Sequence, residues 1–227
     1  ENLYIGGYIW FVGWLVGHAP LFGSNLALRN GTWARLRTTV HRSMREIHDD
    51  LDLAIHIEPD MPVVFDKTLR VGVSSDTDAH FGPVVSAAHK AKIEGYIQMG
   101  VDEGAELVVD GRGFSLQGHE DGFFVGPTLF DRVTPQMKSY QDEIFGPVLQ
   151  MMRAETFEEA LSWPSKHAYG NGVAIFTRNG DAAREFADRV EVGMVGINVP
   201  IPVPVAYHSF WGWKRSGFGD LNQYGMD

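Results

Sequence analysis

An acidic residue and an aromatic residue two positions apart form the pair whose spacing best suits ligand binding. Glu143 and Phe145 lie in the stretch QDEIFGPVLQ, residues 141–150, just before an apolar run. In an extended chain such side chains point to the same side, so the spacing predicts a carboxylate and a ring projecting together. An ionised carboxylate accepts strong hydrogen bonds from two hydroxyls, and a ring restricts where a flat heterocycle can lie. The pair suits a nucleoside, although a surface acid beside a turn gives the same pattern.

A second candidate segment, residues 198–220, has the sequence NVPIPVPVAYHSFWGWKRSGFGD, in which proline alternates with other residues. Proline cannot donate to a central strand ladder, so the segment is predicted to be an edge or a loop. His208 is a candidate general base, but no serine or carboxylate at a triad spacing accompanies it. The segment either lines the mouth of a pocket or packs on its own domain with its aromatic and histidine side chains, which are Tyr207, His208, Phe210, Trp211 and Trp213.

A third group of polar residues lies between residues 41 and 58 and contains side chains that can bind metal ions. Two of its histidines, His41 and His48, are seven residues apart and would lie two turns apart on a helix. Their spacing matches no recognised metal motif, so a solvated, charged helix face is favoured and no metal site is predicted. The possible ligands in this group are His41, His48, Asp49, Asp50, His56 and Glu58.

The first 28 residues have a different character, because residues 2–28 contain no Asp, Glu, Lys or Arg. A membrane-spanning helix needs about 20 apolar residues, and residues 3–19 are a possible membrane segment. Pro20 and several glycines disfavour such a helix, so a buried helix, a strand pair or no native structure are the alternatives. The chain begins at Glu1 and has no basic region before the apolar run, so we expect a fragment, an artificial sequence or a misread gene start, not a secretory signal.

Composition restricts the possible functions further. The chain has 227 residues, of which 44% are hydrophobic, enough for a sizeable core. A net charge of −10 disfavours nucleic-acid binding, which needs clustered Lys and Arg. The absence of cysteine excludes disulfides, thiolate metal sites and a cysteine nucleophile from this chain.

From Lys67 onward, helix and strand patterns alternate. Ser86 is predicted to cap a helix whose buried face carries Ile93 and Ile97, with Tyr96 and Val101. Capping-box spacing is present again at Thr156 and Glu159, and Asp181 is predicted to begin a further helix. This alternation predicts an α/β fold with an open, mainly parallel sheet. We therefore divide the chain into an unassigned segment, residues 1–66, and an α/β region, residues 67–227.

Four motifs in the α/β region resemble the C-terminal third of the aldehyde dehydrogenase superfamily. They read EIFGPV, GNGVAIFTRNGDAAREFADRV, GMVGINVPIPVPVAYHSF and WKRSGFGDLNQYG. The resemblance extends from about residue 69 to the end, and the proline-rich motif is most similar to the CoA-dependent methylmalonate-semialdehyde dehydrogenase branch. It implies part of an aldehyde dehydrogenase catalytic domain, with the dinucleotide-binding domain and the last strand outside this chain.

This resemblance implies an activity and a set of site residues. Members of the branch oxidise malonate or methylmalonate semialdehyde with NAD and CoA to an acyl-CoA, and they form homo-oligomers. A cytoplasmic location is expected for this chain. By motif position, Glu143 would hold the nicotinamide ribose, Phe145 would pack near the nicotinamide, and Phe210 would lie beside the reaction centre. The family's cysteine nucleophile would precede the matching region, where this chain has unrelated sequence, so no catalytic residue is assigned.

Two departures leave three functional hypotheses open. The family thiol is absent, and Trp211 replaces a glycine of a Phe-Gly-Gly motif. The chain is expected to derive from a CoA-acylating semialdehyde dehydrogenase and to be inactive alone. Alternatively, it is a non-catalytic remnant that binds a partner subunit or a nucleotide, or residues 1–66 form a membrane-anchored or metal-dependent module.

Overall fold

The structure is a computed structural model, and it describes Tyr4–Tyr8, Leu53–His56 and residues 69–199, 208 and 212–217. The described residues divide into two compact units. One contains residues 69–152, and the other contains the two early segments together with the described residues from 153 onward. The division into residues 1–66 and 67–227 stays a prediction. The elements in chain order are β1 (Tyr4–Tyr8), β2 (Leu53–His56), α1 (Ala87–Asp102), β3 (Glu106–Val109), β4 (Thr128–Asp131), α2 (Lys138–Gln141), β5 (Val148–Arg153), α3 (Phe157–Lys166), β6 (Tyr169–Gly170), β7 (Gly172–Phe176), α4 (Gly180–Arg189), β8 (Met194–Ile197) and β9 (Trp213–Lys214).

The first unit packs helix α1 with strands β3, β4 and β5. The Ser86 hydroxyl accepts a hydrogen bond from the His89 N–H at 3.2 Å, which confirms the predicted N-cap. The predicted apolar face is confirmed at Ile93 and Ile97, which are fully buried, whereas Tyr96 and Val101 are only half-buried. Strand β4 lies between β3, with which it pairs antiparallel, and β5, with which it pairs parallel. Burial of one helix face against this sheet fixes α1 in the unit.

The second unit is built around strand β7, which is buried along its whole length. It pairs antiparallel with β1 and parallel with β8, and β1 also pairs antiparallel with β2. Helix α4 connects the parallel strands β7 and β8, as a crossover connection requires. A separate two-residue pairing joins β6 to β9 in antiparallel orientation.

The prediction of a mainly parallel sheet is wrong for the described strands, which form a mixed arrangement. Only the pairs β4–β5 and β7–β8 are parallel among the pairings described here. In the second unit, strand β1 pairs antiparallel with both β2 and β7. In the first unit, β3 pairs antiparallel with β4. The predicted strand orientation followed from the alternation of helices and strands, and no strand was assigned to Tyr4–Tyr8 or Leu53–His56. The fold class, mixed α/β, is confirmed.

The helix starts of the second unit depend on side-chain caps. Helix α3 has the predicted N-cap, because the Thr156 hydroxyl accepts from the Glu159 N–H at 3.2 Å. The predicted reciprocal bond is shifted by one residue: the Glu159 carboxylate accepts from the Glu155 N–H at 2.9 Å, not from the N–H of Thr156. Helix α4 begins at Gly180, one residue earlier than the predicted start at Asp181, and its N-cap is Asn179. The side-chain oxygen of Asn179 accepts hydrogen bonds from the N–H groups of Asp181 and Ala182 in the first turn.

Within the parts of the chain that the structure describes, no helix has the length and apolar character needed to cross a membrane. Of residues 3–19, the possible membrane segment, only Tyr4–Tyr8 is described, and it is the strand β1. The remainder of that segment lies outside the described residues.

Candidate functional site

The acidic and aromatic pair lies in a loop between helix α2 and strand β5. Glu143 is half-buried, Ile144 is buried and Phe145 is half-buried. The prediction that this stretch is extended is wrong at Phe145, whose φ of 59° places it in the left-handed region. A left-handed residue breaks the two-residue alternation, so spacing alone does not put the two side chains on one side. Both residues belong to the loop 142–147, here called the acidic loop.

The end of the acidic loop is held by close packing and backbone hydrogen bonds. A Cβ added at Gly146 would lie 2.6 Å from Ile93 Cδ1 and 2.8 Å from Ile93 Cγ1, so only glycine fits beside that buried side chain. The Pro147 carbonyl accepts from the Thr128 N–H at 2.9 Å, which attaches the loop to β4. These contacts therefore hold the Gly-Pro corner in place where the chain enters β5.

Helix α1 also holds the beginning of the acidic loop. Lys92 Nζ donates to the Glu143 main-chain carbonyl at 3.3 Å. The Tyr96 hydroxyl donates to Asp142 Oδ2 at 3.0 Å. Lys92 Nζ lies 5.6 Å from the centroid of the Tyr96 ring, so the two side chains also contact each other. One side of α1 thus contacts two consecutive residues of the loop.

The electrostatic environment of Glu143 differs from that of a surface acid. Burial raises the pKa of the Glu143 carboxyl, and the positive charge of Lys92 opposes that shift. None of the described residues donates a hydrogen bond to the Glu143 carboxylate. A partly desolvated carboxylate without donors retains its acceptor capacity for a ligand.

The aromatic residue of the pair has a ring neighbour among the described residues. The Phe145 and His89 ring centroids are 6.0 Å apart, with an interplanar angle of 40°. The left-handed backbone at Phe145 costs about 1–2 kcal/mol relative to a right-handed conformation, and such strained residues concentrate at functional sites. His89 and Phe145 together form an aromatic surface beside the loop.

Several other predicted site residues fall outside what the structure describes. Phe210 and Trp211 are among them, so their predicted positions stay predictions. His208 is described as exposed, and its role as a general base is likewise untested. In the described residues no group of three or more His, Cys, Asp or Glu could hold a metal ion. The histidine and carboxylate group between residues 41 and 58 lies outside the described residues, apart from the backbone of His56.

Sequence patterns did not predict three neighbours of the acidic loop, which are Lys92, Tyr96 and His89. Helical periodicity placed Tyr96 on the predicted buried face with Ile93 and Ile97, and it placed Lys92, four residues before Tyr96, on the same flank of α1. It did not indicate what that flank contacts, because the hydrogen bonds join residues 51 and 46 positions apart.

Comparison with known proteins relates this arrangement to one family. The model of the aldehyde dehydrogenase family matches residues 63–227. The chain is 60% identical over 161 residues to the malonate-semialdehyde dehydrogenase of Pseudomonas aeruginosa, covering 71% of this chain and 32% of that protein. It is 53% identical over 159 residues to the mitochondrial, acylating methylmalonate-semialdehyde dehydrogenase of Arabidopsis thaliana, covering 70% of this chain and 26% of that protein.

A solved structure is similar over the same part of the chain. It is that of a Sinorhizobium meliloti protein described as a methylmalonate-semialdehyde dehydrogenase, in complex with NAD. The TM-score is 0.68 at 61% identity, and the match covers 70% of this chain and 32% of that one. The chain thus spans about a third or less of the length of these relatives.

Proposed function

Because this chain belongs to the aldehyde dehydrogenase family, we propose that it carries one wall of the nicotinamide site of an NAD-dependent, CoA-acylating malonate- or methylmalonate-semialdehyde dehydrogenase. The similarity to semialdehyde dehydrogenases supports the substrate class. The observation that carries the proposed site is the Glu143 carboxylate, which is half-buried and receives no donor from the described residues. The proposal includes CoA as acyl acceptor, a homo-oligomer and a cytoplasmic location.

The acidic loop fits the ribose of a nicotinamide nucleotide. Glu143 would accept hydrogen bonds from the two ribose hydroxyls, and a charged acceptor strengthens both bonds. Phe145, beside His89, would limit the position of the nicotinamide ring, and Phe210 would lie near the reacting aldehyde. When bound, NAD supplies the hydride acceptor. The protein residues bind and orient it.

The chain itself supplies no thiol, because it contains no cysteine. In the family, a thiolate attacks the aldehyde carbon and later carries the acyl group that CoA accepts, so both halves of the reaction need the same sulfur. Loss of a covalent nucleophile lowers turnover about a million-fold in a well-studied hydrolase. We therefore propose that this polypeptide alone has no appreciable dehydrogenase activity.

The ribose site can be tested without turnover. Nicotinamide riboside and the 1-methylnicotinamide cation carry the same charge, but only the first has ribose hydroxyls, so the ratio of their affinities isolates the ribose contribution. NMR titration of the 227-residue protein should show a preference for the riboside. Glu143→Gln should reduce that preference about tenfold, because the acceptor loses its charge.

Glu155→Gln is the matched control, since Glu155 is an exposed acid outside the acidic loop. It should keep the preference of the unaltered protein. An unaltered preference in Glu143→Gln, or no preference in the starting protein, would overturn the ribose site.

The proposed inactivity has its own test. Purified protein is incubated with methylmalonate semialdehyde, NAD and CoA, and NADH is followed by absorbance. We expect no NADH above the background of a protein-free mixture. Turnover at a rate typical of full-length semialdehyde dehydrogenases would refute the proposed inactivity, whatever the outcome of the ribose experiment.

The lack of cysteine in the chain also favours a second candidate, a non-catalytic subunit that binds an intact dehydrogenase subunit or a nucleotide. Tagged protein co-expressed with a full-length semialdehyde dehydrogenase should then retain that subunit through gel filtration. Elution as a monomer without the dehydrogenase would count against the partner role.

A further inference from the structure

The two carboxylates that begin the acidic loop have different surroundings. Asp142 Oδ2 accepts from the Tyr96 hydroxyl at 3.0 Å, and Asp142 Oδ1 lies 3.3 Å from Lys138 Nζ. The Asp142 N–H donates to the Lys138 carbonyl at 2.9 Å. Glu143, the next residue, has its main-chain carbonyl held by Lys92, while its carboxylate has no donor among the described residues. Asp142 is therefore anchored, and Glu143 is left available.

Tyr96 is suited to anchor a neighbouring residue because its own position is fixed. It lies on α1 between Ile93 and Ile97, which are both fully buried. A tyrosine ring is rigid and has only two rotatable side-chain bonds, so little entropy is lost when its hydroxyl is held in one place. Burial and the hydrogen bond to Asp142 raise the pKa of Tyr96, which keeps the hydroxyl protonated and able to donate.

We propose that Tyr96 is a positioning residue for Glu143: its hydrogen bond to Asp142 fixes the backbone from which the Glu143 carboxylate points toward the ribose. The inference rests on the proposed nicotinamide site. Tyr96 touches neither Glu143's carboxylate nor the ligand in this assignment, and it acts through the adjacent residue. Loss of the Tyr96 hydroxyl frees Asp142, and Glu143 then samples orientations that do not bind both ribose hydroxyls.

Tyr96→Phe is the direct test, because it removes the hydroxyl and keeps the half-buried ring beside Lys92. The riboside preference over 1-methylnicotinamide should fall about three- to tenfold, the factor that corresponds to one hydrogen bond. Binding of 1-methylnicotinamide should stay unchanged. A general loss of structure would weaken both ligands together, so the ratio separates positioning from damage.

The double variant Tyr96→Phe/Glu143→Gln shows whether the effect passes through Glu143. If it does, Tyr96→Phe causes no further loss of preference once Glu143 has lost its charge. Additive losses would overturn the inference. A loss in Glu143→Gln without one in Tyr96→Phe would overturn it while leaving the ribose site intact, and no loss in either would overturn both.

Two further variants protect the result against a folding defect. Tyr169→Phe removes a tyrosine hydroxyl in the other unit and should keep the preference. Lys138→Gln removes the second contact of Asp142 from an exposed position, so it should lower the preference less than Tyr96→Phe does. An equal or greater loss in Tyr169→Phe would contradict the assigned role of Tyr96.

Discussion

The acidic loop of the first unit and the β6–β9 pair of the second each hold a non-glycine residue in the left-handed region. Phe145 has φ of 59° and Lys214 has φ of 58°. Each region also contains a charged group whose pKa is shifted chiefly by burial: the pKa of Glu143 is raised and that of Lys214 is lowered. In both cases the charged form is disfavoured by desolvation.

The two charges differ in their hydrogen-bond partners. Lys214 Nζ donates to the Pro164 and Ser165 carbonyls, each at 2.9 Å, and so satisfies acceptors at the end of helix α3. The Glu143 carboxylate receives no donor from the described residues. A desolvated charge with partners contributes to structure, whereas one without partners retains its capacity for a ligand. The comparison therefore separates a structural lysine from a candidate binding carboxylate.

The largest effect is expected when the packing under the acidic loop is disturbed. Gly146→Ala places a Cβ against the fully buried Ile93, and such overpacking lowers the free energy of unfolding by about 1–3 kcal/mol. Urea unfolding measures the change, and the riboside preference should fall with it. The control is Gly95→Ala, in helix α1, where a Cβ meets nothing within 4 Å. That variant should gain about 0.5–1 kcal/mol, and a comparable loss there would argue against the steric explanation.

Removing the structural charge should have the next largest effect. Lys214→Met leaves the Pro164 and Ser165 carbonyls without their shared donor, so the free energy of unfolding should fall by about 1 kcal/mol. Lys166→Met, at an exposed lysine of the same helix end, should change it by no more than about 0.5 kcal/mol. Equal losses in the two variants would contradict a specific role for Lys214.

The pH dependence of Lys214 has a defined sign. Because its pKa is lowered in the folded protein, the unfolded chain binds more protons between that lowered value and 10.5, and stability rises with pH across this interval. Lys214→Met should remove this increase. Unfolding curves recorded at mildly alkaline pH for both proteins provide the measurement, and parallel pH profiles would contradict it.

The smallest effect on the free energy of unfolding is expected from the Glu143 carboxylate. The folded-state pKa of Glu143 is raised, so its contribution to stability is present below 4.5 and is lost as pH rises through the folded-state pKa. Glu143→Gln should therefore gain stability relative to the starting protein over that interval, within about 0.5 kcal/mol at neutral pH, while losing the riboside preference. A loss of stability at neutral pH would show that Glu143 has structural partners after all.

Local chemistry in the sequence predicted a large part of the described fold. Ser86 and Thr156 were identified as helix caps, because a hydroxyl that accepts from an N–H three residues ahead is a local requirement. The buried positions Ile93 and Ile97 followed from helical periodicity. The start of α4 was misplaced by one residue, because the helix begins at Gly180, directly after the Asn179 cap, and not at Asp181.

The arrangement of the strands and of the acidic loop could not be predicted in this way. Strand orientation depends on which segments pair, and β1 pairs with β2 and β7 across long stretches of chain. The left-handed backbone at Phe145 precedes Gly146, which packs against Ile93 of helix α1. Neither the strand pairing nor the packing of Gly146 on Ile93 can be inferred from neighbouring residues in the sequence.

By itself, the sequence determined the family, the α/β fold class, the helix caps and the lack of any thiol, because each of these depends on residue types or on neighbours within a few positions. Only the tertiary structure decided that Asp142 is anchored and Glu143 is available. The Tyr96 hydroxyl donates to the Asp142 carboxylate, whereas Lys92 contacts the main-chain carbonyl of Glu143 and leaves its carboxylate without a donor among the described residues. Tyr96 and Lys92 are distant from the loop in sequence and reach it only when α1 packs against it.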